Sequence, residues 1–231
     1  MAEETPSTET AEENTSDHSD NDADAKEPEK VTIYYVTDEQ QQSQYINMFK
    51  EEGLDAVLLT HNIDSPFITQ LEQRNENVQF QRIDADLTDH FKEKVAKEEE
   101  ETFKANTETL TAIFRKALNN EKLEVKVEKL KNENVASMVT LSEQSRRMQE
   151  MMKMYNMYGM DAGMFGTDVT LVLNANHPLV QYVLNNKDGE HVNLFCQQLY
   201  DLAMLSNKPL NPEEMTAFIS RSNEIMMLLT K

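Results

Sequence analysis

The sequence lacks several features that would define a class of protein at once. Only one cysteine, Cys196, occurs among 231 residues, so no disulfide can form within the chain, and we expect it to act in the reducing cytoplasm. No apolar run approaches the ~18 residues of a membrane-spanning helix. The acidic N-terminus also lacks the basic and apolar regions of a signal peptide, so we expect a protein that is neither inserted in membranes nor exported.

Glycine and positive charge are also scarce. The five glycines form neither a GxxxxGK loop nor a GxGxxG loop, the two patterns that cradle nucleotide phosphates. The formal net charge is −20. Nucleic-acid binding draws its affinity from Lys and Arg placed on phosphates, so this charge argues against nucleic acids and anionic membranes as partners.

Few side chains are arranged for catalysis or metal binding. His61, Asp64 and Ser65 occur together in "THNIDSP" and could in principle form a hydrolase triad, but residues so close at a strand-to-helix turn are more typical of helix caps. His177 has no second His or Cys at ligand spacing, and Cys196 lies on an apolar stripe as a small buried hydrophobe. We therefore predict no catalytic, cofactor-binding or metal-binding residues in this chain.

The first half of the chain divides into three segments. Residues 1–30 hold eleven acidic groups and two lysines but no aromatic residue, Val, Leu or Ile, and we expect a disordered acidic tail. In residues 31–86, the strand-like runs "VTIYYV", "LDAVLLT" and "VQFQRID" alternate with short helical stretches, which predicts a small α/β/α unit with a short parallel sheet. Ser65 is the predicted N-cap of its second helix and Pro66 the first helical residue. Residues 87–120 predict a linking helix.

Residues 121–231 predict a C-terminal α+β domain. The runs "LEVKVEKL" and "NVASMVTL" predict an antiparallel strand pair, "TLVLN" predicts a further strand, and Asn176 is the predicted cap of a short helix. An amphipathic helix follows at about residues 191–206. A second begins at Asn211, with Pro212 in its first turn. Two wide apolar stripes cannot be buried on each other alone, so these helices either cover the sheet or pair with a second copy as a four-helix bundle.

The stretch "RRMQEMMKMYNMYGMDAGMFG" holds seven of the fourteen methionines. Methionine is flexible and tolerates partners of many shapes. Two interpretations stay open: a Met-rich core helix, or an adaptable surface for apolar segments of other proteins. On a helical wheel, one arc contains Met148, Met151, Met152, Met154, Tyr155 and Tyr158. The glycine-containing segment that follows carries Met160, Met164 and Phe165.

Three separated segments carry a resemblance to a known family. The runs "IYYVTDEQQQSQYINMFKEEGLDAVLLTHNIDSPFI", "LVLNANHPLV" and "LYDLAMLS…PEEMTAFISRSNEIMMLL" resemble the bacterial HtpG branch of the heat shock protein 90 chaperones. The resemblance covers the family's C-terminal part, namely the end of the middle domain and the dimerisation domain. It implies an ATP-dependent homodimeric chaperone that binds non-native or partly folded client proteins.

The resemblance also implies roles for particular residues. Client contact is expected from the wheel arc and the segment after it, that is, from Met148, Met151, Met152, Met154, Tyr155, Tyr158, Met160, Met164 and Phe165. The dimer interface is expected from the two final helices, through Leu199, Leu202, Leu205, Met215, Phe218, Ile219, Ile225, Met226, Leu228 and Leu229.

The chain departs from the family pattern where ATP chemistry is concerned. The family's nucleotide site, with its acidic catalytic residue and its magnesium-binding Asn, has no matching segment here, so ATP and Mg²⁺ are implied for the full-length family only. We expect this chain to be no enzyme. It is either a truncated product or fragment, or a family member with an insertion upstream of Val31. The alternative function is an autonomous regulatory or scaffold module that forms heterodimers with full-length HtpG.

Overall fold

The computed structural model describes residues 30–85, 89–154 and 169–230, apart from the side chains of residues 149–154. Two small sheets and the helices around them confirm the predicted α+β fold. The predicted acidic tail lies outside the described residues except for Lys30. The elements follow in the order β1 Val31–Val36, α1 Ser43–Glu51, β2 Val57–Leu58, α2 Asp64–Arg74, β3 Val78–Arg82, α3 Glu100–Ala117, β4 Glu124–Glu128, β5 Ser137–Leu141, α4 Glu143–Met154, β6 Val169–Asn174, α5 Pro178–Asn185, α6 Val192–Leu205 and α7 Pro212–Leu228.

The first sheet is fully parallel, as predicted for the α/β/α unit. Its strands lie in the order β2-β1-β3, with Tyr35 opposite Val57 in the register of the first pair. Helices α1 and α2 make the crossovers that parallel neighbours require. Strand β2 spans Val57–Leu58 rather than the predicted residues 54–60, because it is an exposed edge strand that pairs with β1 alone.

The start of α2 differs from the prediction that Ser65 caps it. The helix begins at Asp64, with Ile63 at the N-cap position, so Pro66 is the third helical residue rather than the first. Proline is tolerated there because the first N–H groups of a helix have no partner within the helix. The Asp64 carboxylate accepts a hydrogen bond of 2.9 Å from the His61 amide and closes the turn before the helix.

The predicted linking helix over residues 87–120 is wrong in its first part. Helix α3 begins only at Glu100, and the described residues before it include a 3-10 helix, Asp89–Phe91, and several turns. Phe91 is buried against Phe49, with ring centroids 5.0 Å apart. This tertiary contact holds the segment against the core and outweighs its helical propensity.

Helix α3 is a core helix and does not bridge solvent between two modules. It buries Leu110 and Phe114 in the main apolar cluster, together with Val139 of β5 and Leu171 of β6. Its charged first turns stay exposed, which explains why the sequence suggested a solvated linker. The second half of the predicted linking segment is therefore part of the C-terminal core.

The second sheet differs from the predicted pairing. Strands β4 and β5 do not pair with each other, because β6 lies between them in the order β4-β6-β5. Strand β4 is parallel to β6, with Val125 opposite Leu171, and β5 is antiparallel to it, with Val139 opposite the same residue. Alternating apolar residues identify a strand's buried face but not its neighbour, so the order could not follow from the pattern.

The cap of α5 is His177 and not the predicted Asn176. The His177 ring accepts a hydrogen bond of 3.1 Å from the Leu179 amide, at the N-cap position. The Asn176 side chain instead donates to the Leu130 carbonyl at 3.1 Å and to the Glu93 carboxylate at 2.9 Å. The asparagine therefore ties the segment before α3 and the end of β4 to the turn.

The two predicted C-terminal helices are both present. Helix α6 packs against β5 and α3 and buries Val192, Cys196, Leu199, Ala203 and Met204. Helix α7 begins with the predicted Asn211 cap. There the Asn211 side chain and Glu214 form a reciprocal capping box, with hydrogen bonds of 2.8 and 2.9 Å.

The two sheets share one continuous apolar contact region. Tyr45 and Phe49 of α1 are buried in a cluster with Leu130, Met138 and Val172 of the second half of the chain. The Tyr45 hydroxyl donates a hydrogen bond of 2.6 Å to the Val139 carbonyl. The predicted domain boundaries at residues 86 and 120 stay predictions. Among the described helices, none is both long and apolar enough to cross a membrane.

Candidate functional site

The Met-rich helix α4 is attached to the α/β/α unit by charged side chains in its first two turns. Arg147 donates from its Nε to Glu143 at 2.8 Å, and from its two Nη atoms to Glu72 of α2 at 2.6 and 3.1 Å. The contact with Glu72 is bidentate, a geometry that adds directional specificity to the charge attraction. Arg147 therefore links α4 to α2 at a defined angle.

The same side chains satisfy the free edge of β3. Glu72 accepts a hydrogen bond of 2.6 Å from the Phe80 amide, and Arg147 donates to the Phe80 carbonyl at 3.2 Å. Glu143 accepts from the Arg82 amide at 3.0 Å. Unpaired edge groups are a template for association with another strand. Here the side chains at the beginning of α4 occupy that edge.

The ion pair between Arg147 and Glu72 is charged at neutral pH. Burial raises the pKa of Glu72, but hydrogen bonds from Arg147 and from the Phe80 amide outweigh burial, so its pKa lies below the ordinary value. For Arg147, burial also opposes the charged form and by itself would lower the pKa. The hydrogen bonds and charges of Glu72 and Glu143 outweigh burial and raise the pKa above the ordinary value. Each group stabilises the ionised form of the other.

A second, deeper charge cluster lies beside the first. The buried Asp84 carboxylate is 2.8 Å from Nη2 of the buried Arg146, and it accepts hydrogen bonds of 2.7 and 3.0 Å from Arg82. The Tyr35 hydroxyl donates to Glu143 at 2.7 Å. Removing one member of such a buried pair leaves an uncompensated charge, which is costly. The beginning of α4 is thus fixed to the unit at two levels.

The predicted client-contact residues are only partly within the described structure. Met148 lies on α4 with 44% of its surface exposed, which argues against a core position for that side chain. Met151, Met152 and Met154 belong to α4, but the structure does not describe their side chains. The remaining predicted contacts lie outside the described residues, namely Tyr155, Tyr158, Met160, Met164 and Phe165.

Helix α7 carries the second candidate surface. Although its whole length is described, none of its residues is buried. Ile219 and Met226 are 52% and 56% exposed. We call the apolar side of this helix the α7 face, made of Phe218, Ile219, Ile225, Met226 and Leu229.

One predicted interface residue is wrongly placed. Leu199 is only 2% exposed and packs in the chain's own core, so its side chain is not available to a partner. The apolar residues of α6 lie on two sides of the helix. The sheet covers only one of these sides, and Leu199 is on the covered side. The other nine predicted residues are exposed or partly exposed, namely Leu202, Leu205, Met215, Phe218, Ile219, Ile225, Met226, Leu228 and Leu229.

Polar groups hold α7 against α6. Arg221 donates to Gln198 at 3.0 Å and also contacts the Asp201 carboxylate. The Gln198 amide in turn donates to the Ser222 hydroxyl at 3.0 Å. These bonds fix the direction of α7 without covering the α7 face.

The residues at the beginning of α4 and in the α6–α7 contact were missed by the sequence analysis. One local signal existed: Glu143 and Arg147 are four residues apart on a helix, a spacing typical of ion pairs. The contact between Arg147 and Glu72 spans 75 residues of sequence, and nothing in the local pattern indicates it.

The residues considered for catalysis have structural roles. The exposed His61 ring has its Nδ1 3.7 Å from Asp64, and Ser65 lies inside the first turn of α2. His177 caps α5. Cys196 is fully buried, and burial raises the pKa of its thiol to about 12. A thiol that is so seldom ionised is a poor nucleophile.

One groove of the described structure lies between β3 and α4. It is lined by the carboxylates Glu72 and Glu143 and by Arg147, which pairs with both of them. In the described part of the chain, no group of three or more His, Cys, Asp or Glu residues could hold a metal ion.

Comparison with known proteins identifies the class to which this arrangement belongs. A family model described as "Hsp90 protein" matches residues 6–231. The chain therefore belongs to the Hsp90 family, and the resemblance inferred from the sequence is confirmed.

Individual relatives are bacterial chaperones. The chaperone protein HtpG of Bacteroides fragilis is 32% identical over 169 residues, which are 70% of this chain and 24% of that protein. The HtpG of Bacteroides thetaiotaomicron is 30% identical over 161 residues, 67% of this chain and 23% of that protein. The HtpG of Albidiferax ferrireducens is 28% identical over 208 residues, which are 84% of this chain and 29% of that protein. The chain spans about a quarter of the length of the first two relatives.

Proposed function

We propose that this chain is the C-terminal portion of an HtpG-type molecular chaperone of the cytoplasm. In this proposal it forms a homodimer through α6 and α7 and contacts non-native client proteins with the methionines of α4. Family membership supports the chaperone class. The dimer and the client contact are our own assignments.

The observation that carries the dimer is the α7 face. Helix α7 has no fully buried residue, and although Met215, Phe218, Ile225 and Leu228 are half-buried, Ile219 and Met226 remain more than half exposed. In water, exposed apolar side chains favour association that removes them from solvent. A second copy presents the same α7 face. The two α7 faces can bury each other in a symmetric four-helix arrangement of two α6–α7 pairs. Sedimentation equilibrium should then give twice the chain mass of 26.7 kDa.

The client contact is supported by the exposure of Met148 and by the attachment of α4. Methionine side chains adapt to apolar segments of different shape, which a protein with many clients requires. The ion pairs of Arg146 and Arg147 hold the beginning of α4 in place, and Met148 takes no part in them.

Light scattering of a thermally aggregating client protein tests this contact. The parent should reduce aggregation, and the triple variant Met148→Ser, Met151→Ser, Met152→Ser should lose most of that protection. Gln149→Ser, on the polar side of the predicted wheel, is the matched control and should protect like the parent. If the folded triple variant protects the client as well as the parent does, these methionines do not contact the client and the proposed client contact is contradicted.

We also propose that ATP binding and hydrolysis belong to parts of the full-length chaperone outside this chain. The sequence contains neither a GxxxxGK nor a GxGxxG loop, which supports this assignment. A nucleotide-hydrolysis assay on purified chain should give no turnover above a buffer control. Turnover that follows the protein through purification would contradict the assignment.

A further inference from the structure

Arg147 is one of the side chains that fix the direction of α4. It contacts two elements outside its own helix, through Glu72 on α2 and the Phe80 carbonyl on β3, and it also binds Glu143 on α4. A side chain with contacts on two neighbouring elements restricts both the tilt and the rotation of its helix. By contrast, the deeper pair of Arg146 and Asp84 restrains α4 at a single point.

We propose that Arg147 is a positioning residue that fixes α4 relative to the α/β/α unit and thereby sets where the methionines of α4 meet a client. The inference rests on the proposed client contact. It assigns to Arg147 a role that acts through the helix and requires no contact with the client itself.

The partners of Arg147 are themselves held in place. Glu72 accepts a hydrogen bond of 2.6 Å from the Phe80 amide. Glu143 accepts hydrogen bonds of 3.0 Å from the Arg82 amide and 2.7 Å from the Tyr35 hydroxyl. The Glu72 carboxylate, fixed by the Phe80 amide, cannot follow the guanidinium if α4 tilts, and Glu143, which is on α4 itself, would lose its bonds to Arg82 and Tyr35. The acceptors are therefore preorganised, and a tilt of α4 would break the bonds rather than carry them along.

The chemistry requires arginine at this position. A guanidinium is planar and presents several N–H donors in a fixed fork, so it can bind one carboxylate with two bonds and a second carboxylate with a third. A lysine amine is a point charge on a flexible stem and cannot hold all three acceptors in the same geometry. Arg147→Lys should therefore keep the charge but lose the fixed direction.

Distances between spin labels test the direction of α4. Labels are placed at Gln73→Cys on α2 and Lys153→Cys on α4, since the native Cys196 is buried. The parent should give one narrow distance distribution, and Arg147→Met and Arg147→Lys should both broaden it. Arg74→Met, which changes an exposed arginine at the end of α2, is the control and should leave it narrow.

A charge exchange separates positioning from a general loss of folding. Glu72→Arg and Arg147→Glu should each broaden the distribution, because each places like charges together. The double variant restores an opposite charge pair between the two helices, but it also places carboxylates at both positions 143 and 147 and removes the donor to the Phe80 carbonyl. It should therefore recover only part of the narrow distribution. Circular dichroism checks that every variant is folded. A folded Arg147→Met variant with the parent's narrow distribution would overturn the proposal, as would a double variant no narrower than the single changes.

Client affinity is measured on the same variants by fluorescence anisotropy with a reduced, permanently unfolded α-lactalbumin. We expect Arg147→Met to bind about threefold to tenfold more weakly, a change within the range of coupling between contacting residues, and the charge exchange to restore part of the binding. A broadened distribution with unchanged affinity would overturn the link between direction and client contact. A parent that binds no client would overturn the proposed function instead, while the distances would still decide whether Arg147 fixes α4.

Discussion

Helices α6 and α7 both carry an apolar stripe but differ in how much of it their own chain covers. Both show apolar residues at helical spacing, yet α6 buries five side chains against the sheet and α3, whereas α7 buries none. The difference shows that an apolar stripe indicates a surface to be covered but does not say what covers it. For α6 the cover is the chain itself, and for α7 we propose a second copy.

The largest effect expected within this comparison is on stability. Leu199→Ala removes a buried side chain of α6 and should lower the free energy of unfolding by about 2 to 5 kcal/mol, since it leaves a cavity in the core. Leu202→Ala, on the same helix but 46% exposed, should cost less than ~1 kcal/mol. Denaturant unfolding measures both. Equal losses would contradict the assignment of the two sides of α6.

The inner side of α6 should also be chemically protected. Cys196 is fully buried, and burial raises the pKa of its thiol to about 12. At pH 8 we expect the native thiol to react with an aromatic disulfide reagent about a thousandfold more slowly than the denatured chain, because only the thiolate reacts. The variant Asn223→Cys adds an exposed thiol on α7 as a control, and it should react at once. Rapid labelling of Cys196 in the folded parent would contradict its burial.

A smaller effect is expected at the start of α7. Asn211→Ala removes the capping box with Glu214 and should destabilise the helix by about 1 kcal/mol. Because α7 has no buried side chain, the loss should appear as faster amide exchange in its first turns rather than as unfolding of the whole chain. Hydrogen exchange followed by mass spectrometry measures the amide exchange rates in the first turns of α7. Unchanged exchange in the first turns of α7 would show that the cap is not needed.

The smallest effect concerns α4, whose beginning is held by charge rather than by burial. The pKa of Glu72 lies below its ordinary value of 4.5, so the pair with Arg147 stabilises the folded state above that value and loses its contribution as the pH falls through the lowered pKa. The thermal midpoints of the parent and of Glu72→Gln should therefore differ at neutral pH and converge below about 4.5. A difference that persists unchanged in stronger acid would place its origin elsewhere.

Local signals in the sequence were enough for several elements and for the C-terminal caps. The β-branched run of β1, the stripe of α6 and the "NPEE" start of α7 each give their element directly, because neighbouring residues decide it. The resemblance to the family also followed from the sequence alone.

The remaining features depend on contacts between distant residues. The position of β6 between β4 and β5 is decided by packing across the sheet and cannot be read from alternation within one strand. The start of α3 is displaced because Phe91 is held in the core, and the link between Arg147 and Glu72 spans 75 residues of sequence. Of the candidate site, the apolar residues follow from the stripe pattern and stay predictions, whereas the charges beside them could not be predicted.

The most direct test of the account is the mass of the chain in solution after the α7 face is changed. Sedimentation over a concentration series should give twice 26.7 kDa for the parent and for the control Ser220→Asp, an exposed residue on the opposite side of α7, and the single-chain mass for Ile219→Asp combined with Met226→Asp. Thermal unfolding confirms that the changed chain is folded. A parent that stays a single chain, or a folded double variant that still sediments as a dimer, would contradict the proposal that a second copy covers α7.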